Sequence, residues 1–478
     1  MRKSIGITIL LVVLCTCLSV MGFVRMNETG EQIQIEETVI VGDNSILDGL
    51  KVTQHLYDQG GQGYLYWDTV YRPGTEPSVK TDFTYTEKRR EEPASEEYLS
   101  LMLYSGSSVG SSGILDLKET GGAWSSVLTD VAKRAGTKSE HKEWVNLKDY
   151  FDYLPLQINV NIGELHHLHL GPRDSNPEPW IEQLHEAFRI PVPDKCFAEI
   201  TILKRSDGSV YHYGIEMGRD LPELNGESII TDEYCYLIVT GKMADGSPLN
   251  TADGRSICGI YQIPYEDASA KTSIGTDQQT TVLQVEKMKK IASLESGMFI
   301  SEVNYDEERE RLELVYIAER EKFQVELIAV DTKTGELLQT LTAIEDLKGG
   351  WVDDVFTGEN ALLVSSSNGD GYFFTLLSRE EDGFYRKEFE VPFPKVTETG
   401  FHSSWTYPRY GMGVAFDGER LAVATVTGSL DECQFQLAVY EAGELVSQGK
   451  YTSSLGIGSD IYSTMKPRES MAVEVNWE

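Results

Sequence analysis

Cysteine is scarce in this sequence, and its spacing matches no familiar kind of site. The chain of 478 residues contains six cysteines, and the four beyond the first 24 residues are Cys196, Cys235, Cys258 and Cys433. No CxxC pair and no cysteine–histidine zinc spacing occurs, which argues against a structural zinc module. Export would permit disulfides, with three pairings possible, but four sparse cysteines do not make a disulfide scaffold. We therefore expect ordinary buried thiols.

Positive charge is also in short supply. The 42 lysines and arginines face 76 aspartates and glutamates, which leaves a formal net charge of -34 at pH 7. Such a surface repels a phosphate backbone, so nucleic acid is excluded as a partner. Adsorption to anionic lipid is disfavoured for the same reason. The 24 Tyr, 16 Phe and 7 Trp supply enough core to exclude wholesale disorder.

Linear catalytic and metal-binding motifs are lacking. The sequence contains no sialidase-type Asp box, Ser-x-Asp-x-Gly-x-Thr-Trp. The strings "NGDG" at Asn368 and "ADGSPLNTADG" at Ala244 lack the ligand spacing and terminal Glu of a calcium loop, so both predict turns. With 76 carboxylates, neighbouring pairs are expected by chance. The sequence therefore predicts no metal ion, no cofactor and no identifiable catalytic residue.

Three of the eight histidines stand together in "GELHHLHLGP". In a strand, His167 and His169 share one face, while His166 lies on the other. Two histidines at this spacing can bind zinc or copper, but a site needs further ligands, and only His185 or Glu164 is near in sequence. We interpret these histidines as structural or half-exposed.

The string "GSSVG" satisfies Gly-x-Ser-x-Gly around Ser108. A nucleophile elbow requires a helix directly after the serine, whose N-terminal N–H groups stabilise an oxyanion. The next residues, "SSGILDL", predict a loop and then a strand. We therefore interpret the motif as a Gly/Ser hairpin.

The first residues predict a membrane segment. Arg2 and Lys3 precede the apolar run Ile5–Val24, which has about the 20 residues that a spanning helix needs. Because no good cleavage site comes after it, residues 1–25 predict an uncleaved signal anchor with the bulk of the chain extracytoplasmic. A cleaved signal peptide is the main alternative, and Cys15 and Cys17 loosely resemble a lipobox. Residues 26–45 are polar and acidic and predict a stalk.

Beyond the stalk, short β-rich runs alternate with Gly and Asp turns, which indicates an all-β fold. An Asp-Gly pair recurs at Asp207, Asp245, Asp253, Asp370, Asp382 and Asp417. Glycine accepts a positive φ without steric cost, so each pair predicts a tight turn between antiparallel strands.

The carboxyl-terminal half contains an internal repeat. "FDGERLAVATVTGSLDECQFQLAVYEAGELVSQGKY", from Phe416 to Tyr451, aligns with segments that begin at Arg311 and Asn360. The turn glycines Gly335, Gly383 and Gly443 are spaced 48 and 60 residues apart. A period near 50 with three or four strands per unit is typical of propeller blades.

One repeat carries a family resemblance. "AVDTKTGELL" resembles the repeat of quinoprotein-like (PQQ-type) propellers, Ala-x-Asp-x-x-Thr-Gly followed by Trp. The resemblance implies that Asp331, Thr334 and Gly335 form the turn between a blade's last two strands. Gln339 stands where the family has Trp, so the resemblance supports the fold and does not extend to a quinone cofactor.

Residues 46–478 therefore predict a single β-propeller domain with six to eight blades, seven being the best single number. A separate amino-terminal β domain before a smaller propeller is the alternative. Two helical insertions are expected, at Ala123–Ala135 and Pro177–Phe188. In the second, Trp180, Leu184 and Phe188 form one apolar stripe that should pack on the ring.

The last interval between repeats is stretched by "VPFPKVTETGFHSSWTYPRYG", Val391–Gly411. Because Trp, Tyr and Arg anchor interfaces efficiently, His402, Trp405, Tyr407 and Arg409 are the predicted binding residues. Alternatively, Trp405 and Tyr407 plug the ring between the first and last blades.

The functional prediction is a non-enzymatic, membrane-anchored binding, scaffold or sensor module for a protein partner or small ligand. The alternative is a cell-surface hydrolase or lyase acting on glycans or peptides, with its site in the propeller channel.

Overall fold

The computed structural model describes residues 16–17, 21, 34–60, 63–86, 98–103, 106–109, 114–120, 122–137, 139–162, 165–170, 179–218, 221–271, 277–357, 360–368, 371–392, 412–427, 434–453 and 471–478. The predicted anchor Ile5–Val24 lies almost entirely outside these residues, so it stays a prediction. Within the described part of the chain, no helix has the length and apolar character needed to cross a bilayer.

The fold is all-β, as the sequence predicts. The described residues form 29 strands, which in chain order are β1 Ile35–Val41, β2 Leu50–Gly60, β3 Gly63–Arg72, β4 Ser78–Thr86, β5 Tyr98–Leu103, β6 Gly106–Val109, β7 Glu140–Asn146, β8 Leu156–Ile162, β9 Leu165–Leu170, β10 Phe197–Lys204, β11 Val210–Met217, β12 Glu223–Ile230, β13 Tyr234–Lys242, β14 Gly259–Lys271, β15 Asp277–Leu283, β16 Lys289–Ser293, β17 Met298–Asp306, β18 Arg311–Glu319, β19 Phe323–Asp331, β20 Leu337–Ile344, β21 Trp351–Thr357, β22 Ala361–Asn368, β23 Gly371–Arg379, β24 Tyr385–Pro392, β25 Met412–Phe416, β26 Arg420–Thr427, β27 Gln434–Glu441, β28 Glu444–Ser453 and β29 Met471–Trp477.

Short helices interrupt the strands, and two α-helices lie within the insertions predicted at Ala123–Ala135 and Pro177–Phe188. The α-helices are α1 Leu117–Thr120, α2 Ser125–Arg134 and α3 Pro179–Ala187, and the 3-10 helices are Asn44–Leu47, Gly122–Trp124, Leu147–Asp149 and Val285–Lys287. On α3, Trp180 and Leu184 are buried together with Phe188, which lies just beyond the helix. The predicted apolar stripe and its role in core packing are confirmed.

The strands belong to two compact units. The first unit comprises Met1–Glu92 and Leu347–Glu478, so it unites both ends of the chain, and the second comprises Pro93–Asp346. Whether residues 46–478 form one propeller domain stays a prediction.

In the first unit the strands form three sheets with the orders β29-β2-β3-β4, β21-β22-β23-β24 and β1-β28-β27-β26-β25. In the second unit the orders are β17-β18-β19-β20, β6-β11-β10-β7 and β15-β14-β13-β12-β5-β8-β9, with β16 also paired to β14. Neighbouring strands in these sheets run antiparallel.

The predicted internal repeat is confirmed at the level of the strands. Its three copies are β18 to β20, β22 to β24 and β26 to β28, and each supplies the last three strands of a four-stranded meander. The opening strands of these meanders, β17, β21 and β25, precede the copies in sequence. The strands are joined by local hairpins and several are buried almost continuously, so apolar runs between turns were sufficient to recognise the copies.

The Asp-Gly turns form as predicted at five of the six positions. The glycines after Asp207, Asp245, Asp253, Asp382 and Asp417 have φ between 81° and 102°. At four of them, the glycine N–H donates to the carbonyl three residues earlier. Asp370 lies outside the described residues.

The turn that carries the quinoprotein-like resemblance is also as expected. Asp331 Oδ1 accepts hydrogen bonds from the N–H groups of Lys333 and Thr334, at 2.9 and 2.6 Å, and from the Thr334 hydroxyl at 2.8 Å. These bonds lower the pKa of Asp331. The turn joins β19 to β20, the last two strands of their sheet.

The start of the folded part differs from the prediction. Residues 35–41, assigned to the stalk on their polar and acidic character, form β1 and pair with β28 from Ile35 opposite Ser453 to Val41 opposite Gln448. The acidic side chains did not prevent a strand because β1 lies at the outer edge of its sheet, where Glu36 and Glu37 remain partly or fully exposed. The β-sheet structure therefore includes residues before Ile46.

Three of the four cysteines confirm the prediction of buried thiols. Cys196, Cys235 and Cys258 are free and buried, and burial raises the pKa of each thiol. Cys433 lies outside the described residues.

Candidate binding edge of the first unit

Three connections between strands of the first unit, residues 393–411, 428–433 and 454–470, begin and end at the same ends of their sheets. We call these ends the connection edge, defined by the ends of the hairpins β2–β3, β22–β23 and β26–β27, by Pro392 at the end of β24, and by the starts of β25 and β29. The register places Met412 opposite Thr425, Pro392 opposite Phe373 and Met471 opposite Leu56. Within each sheet, these residues lie at the same end.

Contacts between the sheets relate these ends to one another. A Cβ on Gly413 would lie 2.5 Å from the Val473 carbonyl oxygen, so the starts of β25 and β29 coincide. The end of β24 contacts β27 at a different level: the Tyr440 hydroxyl, near the far end of β27, donates to the Pro392 carbonyl at 3.0 Å. The tight turns at Gly383 and Gly418 lie at the ends of their own sheets away from the connection edge.

The predicted binding segment joins this edge. Val391 and Pro392 end β24, and Met412 begins β25, so residues 393–411 connect two strand ends at the connection edge. His402, Trp405, Tyr407 and Arg409 lie outside the described residues, as do 428–433 and 454–470, which connect strands at the same edge. Their part in binding stays a prediction.

The layer between the sheets of β21 to β24 and of β25 to β28 changes character toward this edge. Its apolar part is a cluster of Ala361, Leu363, Phe374, Leu376, Val391, Leu421, Val423, Ala438 and Tyr440. One step closer to the edge, the same strand faces carry Ser365, Thr425 and Gln436. Thr425 stands directly opposite Gln436, and their exposed fractions are 7% and 1%.

The neighbouring layer repeats this change. Leu50, Val52, Tyr71, Phe435, Leu437, Val473 and Val475 belong to its apolar cluster. Toward the edge, the face of β2 that carries Leu50 and Val52 next presents Gln54, which is 2% exposed and stands opposite Thr69 and Val473. Thr69 in turn lies opposite Thr81, and the two hydroxyl oxygens are 2.9 Å apart.

These buried polar groups differ in whether they are satisfied. Thr69 and Thr81 bond each other, whereas within the described structure both side-chain heteroatoms of Gln54 and of Gln436, and the hydroxyls of Ser365 and Thr425, have no hydrogen-bond partner. Leaving a buried polar group unsatisfied costs about 1–3 kcal/mol each, and folded proteins contain few such groups. Two whole amide groups without partners among the described residues therefore make this edge the candidate site.

Sequence reasoning missed Gln54 and Gln436. In "VTQHL" and "QFQLAVYE" a glutamine within a strand run predicts a solvent-facing position. Alternation along the strand identifies Gln436 as inward-facing, because it shares a strand face with Ala438 and Tyr440, which are both buried. This can be used only when the structure shows which face of the strand is covered.

A second polar cluster lies on the other face of β2. His55 Nδ1 is 2.8 Å from Asp68 Oδ1 on β3, and Nε2 is 3.5 Å from Glu474 Oε1 on β29. The hydrogen bond with Asp68 raises the pKa of His55, burial opposes it, and the charge of Glu474 adds to the rise. Because both ring nitrogens face carboxylates, we interpret His55 as a polar link from β2 to both of its neighbouring strands, β3 and β29.

His55→Gln is expected to flatten the pH dependence of stability. A raised histidine pKa gives stability that is complete below the ordinary value, about 6.5, and is lost as the pH rises through the folded-state pKa. The wild-type Tm should therefore fall relative to that of the variant between pH 6 and pH 9, which differential scanning fluorimetry can measure. Glu474→Gln should reduce the same difference, and parallel Tm curves for wild type and His55→Gln would contradict this assignment.

The remaining sequence motifs belong to the second unit. His166, His167 and His169 lie in the strand β9, and Glu164 lies outside the described residues. His185 lies on α3, where burial lowers its pKa. Ser108 lies within β6, opposite Tyr213.

The strand predicted at the end of "SSGILDL" was wrong, because residues 114–116 form no strand and Leu117 begins α1. The apolar residues of "ILDL" suggested a strand, but the Asp116 side chain accepts a hydrogen bond from the N–H of Lys118, which favours a helix start. The helix still does not come directly after Ser108, as a nucleophile elbow requires.

Comparisons with known proteins add little. No protein-family model and no curated protein matches the chain. A candidate 6-phosphogluconolactonase from Bacteroides fragilis NCTC 9343 aligns over 91% of this chain and 99% of its own, with 12% identity and a TM-score of 0.31. Another, from Bacteroides uniformis ATCC 8492, covers 84% and 95%, with 10% identity and a TM-score of 0.28. Similarity this weak carries no argument about activity.

Proposed function

We propose that this chain is a non-enzymatic, propeller-type binding protein, anchored in a membrane by its first 25 residues, that captures a protein partner or small ligand at the connection edge. The observation that carries the proposal is that Gln54, Ser365, Thr425 and Gln436 are buried near this edge without hydrogen-bond partners among the described residues. A bound molecule, together with the long connections at this edge, would supply the missing hydrogen bonds. His402, Trp405, Tyr407 and Arg409 are the proposed contacts within residues 393–411.

The ends of the chain support a closed propeller as the scaffold. The last strand, β29, completes the sheet of β2, β3 and β4, while β1 adds a fifth strand to the sheet of β25 to β28. Each end thus completes a sheet built from the other end, which is how a ring of sheets avoids open edges. Seven blades remain the proposed number. The net charge of -34 favours a neutral or basic partner.

The test replaces each unpartnered amide with an apolar side chain of similar length. Gln54→Met and Gln436→Met remove a buried polar group that bonds nothing among the described residues, so each is expected to leave the free protein as stable or about 1–3 kcal/mol more stable. The same variants should lose the partner. Thermal denaturation of the full-length protein measures the first effect, and crosslinked affinity capture from host membranes measures the second.

Thr69→Val is the matched control for these variants. It lies in the same row as Gln54 but breaks a satisfied pair, because Thr81 is left without its hydroxyl partner. It should cost about 1–2 kcal/mol and leave capture intact. A large drop in Tm for both glutamine variants, or undiminished capture by them, would contradict the proposal. If wild type captures nothing, the channel-enzyme alternative gains weight.

A further inference from the structure

In the largest sheet of the second unit, the ladder of backbone pairing between β5 and β12 opens after two residue pairs. The register between these strands has two pairs, Asn225 with Met102 and Gly226 with Leu101. At Gly226 the strands are as close as they can be, because a Cβ there would lie 2.6 Å from Cβ of Leu101. One step further, the Leu99 N–H donates to the Ser228 hydroxyl at 2.6 Å. A side chain has thus replaced the backbone partner, and the ladder of backbone hydrogen bonds between the two strands ends there.

Polar side chains occupy the face of the sheet at this opening. We call the group Ser100, Gln157, Asn159, Asn225 and Glu227 the polar notch. The Gln157 amide donates to Asn159 Oδ1 at 2.9 Å, and the Asn159 amide donates to the Ser100 hydroxyl at 3.2 Å. Each of the five is half-buried. The alternate residues of the same strands, such as Leu101 and Ile158, lie in the apolar core on the other face.

Glu227 is the charged member of the polar notch. Asn225 Nδ2 donates to its Oε1 at 2.9 Å, and within the described part of the chain no lysine or arginine forms an ion pair with it. On β13 the residue opposite it is Ile238, which is apolar. Glu227 is half-buried, with an amide on one side and an apolar side chain on the other. Keeping its carboxylate ionised there without a neutralising cation costs free energy. Such a group is a candidate binding or catalytic residue.

The chemistry of the notch limits what it can bind. An anion would meet the Glu227 carboxylate and a chain of net charge -34. A metal ion would need more ligands, and the described residues contain no group of three or more His, Cys, Asp or Glu side chains able to hold one. What the notch offers is a carboxylate, three side-chain amides and a hydroxyl, a mixture of donors and acceptors. Vicinal hydroxyl groups, each both donor and acceptor, match that mixture.

We infer that the polar notch is a binding site for a neutral saccharide, with Glu227 accepting from ligand hydroxyls and Asn159 and Gln157 donating and accepting beside it. The site is independent of the connection edge, since it lies on a different unit and involves none of the same residues. Tyr234 and Tyr236 occupy the same face of the neighbouring strand β13, with ring centroids 6.0 Å apart. Tyr236 is 2% exposed and stacks on Tyr305, so of the two only the half-buried Tyr234 offers aromatic surface on this face.

The test uses ligand-observed NMR with glucose, galactose, mannose, N-acetylglucosamine and their β1,4-linked disaccharides as probes, with the full-length protein. At least one probe should show saturation transfer. Glu227→Gln and Asn159→Ala should weaken its binding at least tenfold, as loss of a hydrogen bond to a charged or amide group does. Glu223→Gln, on the same face of β12 but away from the opening, should bind as wild type.

Two outcomes would overturn the inference. One is the absence of saturation transfer from every probe to the wild-type protein. The other is wild-type affinity in Glu227→Gln. Loss of binding in Glu223→Gln as well would also count against it, because it would show that general negative charge, and not the notch, governs binding. None of these outcomes bears on capture at the connection edge.

The stability of Glu227→Gln gives an independent readout that its fold is intact. Burial raises the pKa of Glu227 above its ordinary value, and the Asn225 hydrogen bond only partly opposes this. Folding therefore favours protonation of Glu227 relative to the unfolded chain, and this contribution to stability is lost as the pH rises through the folded-state pKa. Glu227→Gln should have the higher Tm at pH 8, with the difference from wild type shrinking toward pH 4.

Discussion

Deletion of residues 471–478 is expected to prevent the first unit from folding. The segment forms β29, which pairs with β2 along seven residues, from Leu50 opposite Trp477 to Leu56 opposite Met471. It buries Val473 and Val475, both 4% exposed, in the apolar cluster between two sheets. Each buried valine stabilises by about 1.5–3 kcal/mol, and β2 would also lose its backbone partners. Against a total stability of about 5–15 kcal/mol, the loss is decisive.

The truncated chain should show no cooperative unfolding transition attributable to the first unit by circular dichroism and calorimetry. Adding a synthetic peptide of residues 471–478 should restore part of that transition, because the peptide can pair with β2. Glu478→Gln is the control: it removes the 2.9 Å contacts with Arg72 but keeps the strand, and this exposed pair should matter little. A truncated protein that melts at the full-length Tm would refute the assigned role of β29.

Gly335→Ala is expected to be the most damaging of the glycine substitutions at turns. Gly335 has φ 73°, and a Cβ there would lie 1.9 Å from the carbonyl oxygen of Ile291 on β16. The clash is with backbone, so no side-chain rotation can relieve it. Left-handed strain alone costs about 1 kcal/mol, and displacing β16 or the turn should raise the total to about 3 kcal/mol or more.

Gly208→Ala isolates the strain from the clash. Gly208 has φ 86°, yet a Cβ there would meet nothing within 4 Å. It should cost about 1 kcal/mol. Chemical denaturation measures the free energy of unfolding of both variants. Equal losses would show that the close approach of Gly335 to β16 does not contribute to stability. A larger loss for Gly335→Ala would show that Gly335 is needed both for the positive φ of its turn and for the close packing of the turn against β16.

The sequence was sufficient for features that depend on neighbours in the chain. Alternating apolar residues and the turns at Gly335, Gly383 and Gly443 define three hairpin-rich repeats, because a hairpin needs only local pairing. The helix stripe at Trp180 and Leu184 was readable for the same reason. Asp331 and Thr334 bond within their own turn, so the resemblance could describe them correctly.

Features that depend on distant pairing could not be predicted. Nothing local to Val473 or Val475 indicates that they pack beside Val52, and the stalk assigned to residues 26–45 concealed β1 because its partner lies more than 400 residues away. Gln54 and Gln436 were missed because polarity alone suggests exposure. The polar notch was hidden for a different reason: its residues come from three strands, and its opening depends on Gly226 approaching Leu101.

The contribution of distant segments to one unit has a consequence for biosynthesis. Arg72 contacts Glu478 across 406 residues, and Arg420 donates to the Ile46 carbonyl across 374. The second unit is continuous, from Pro93 to Asp346, and can fold once that stretch has emerged. The first unit must wait for residues 471–478, with the unpaired edge of β2 exposed throughout translation and any export. A chain that stops before β29 is therefore expected to leave the edge of β2 unpaired and open to aggregation, whereas a chain that includes β29 covers that edge.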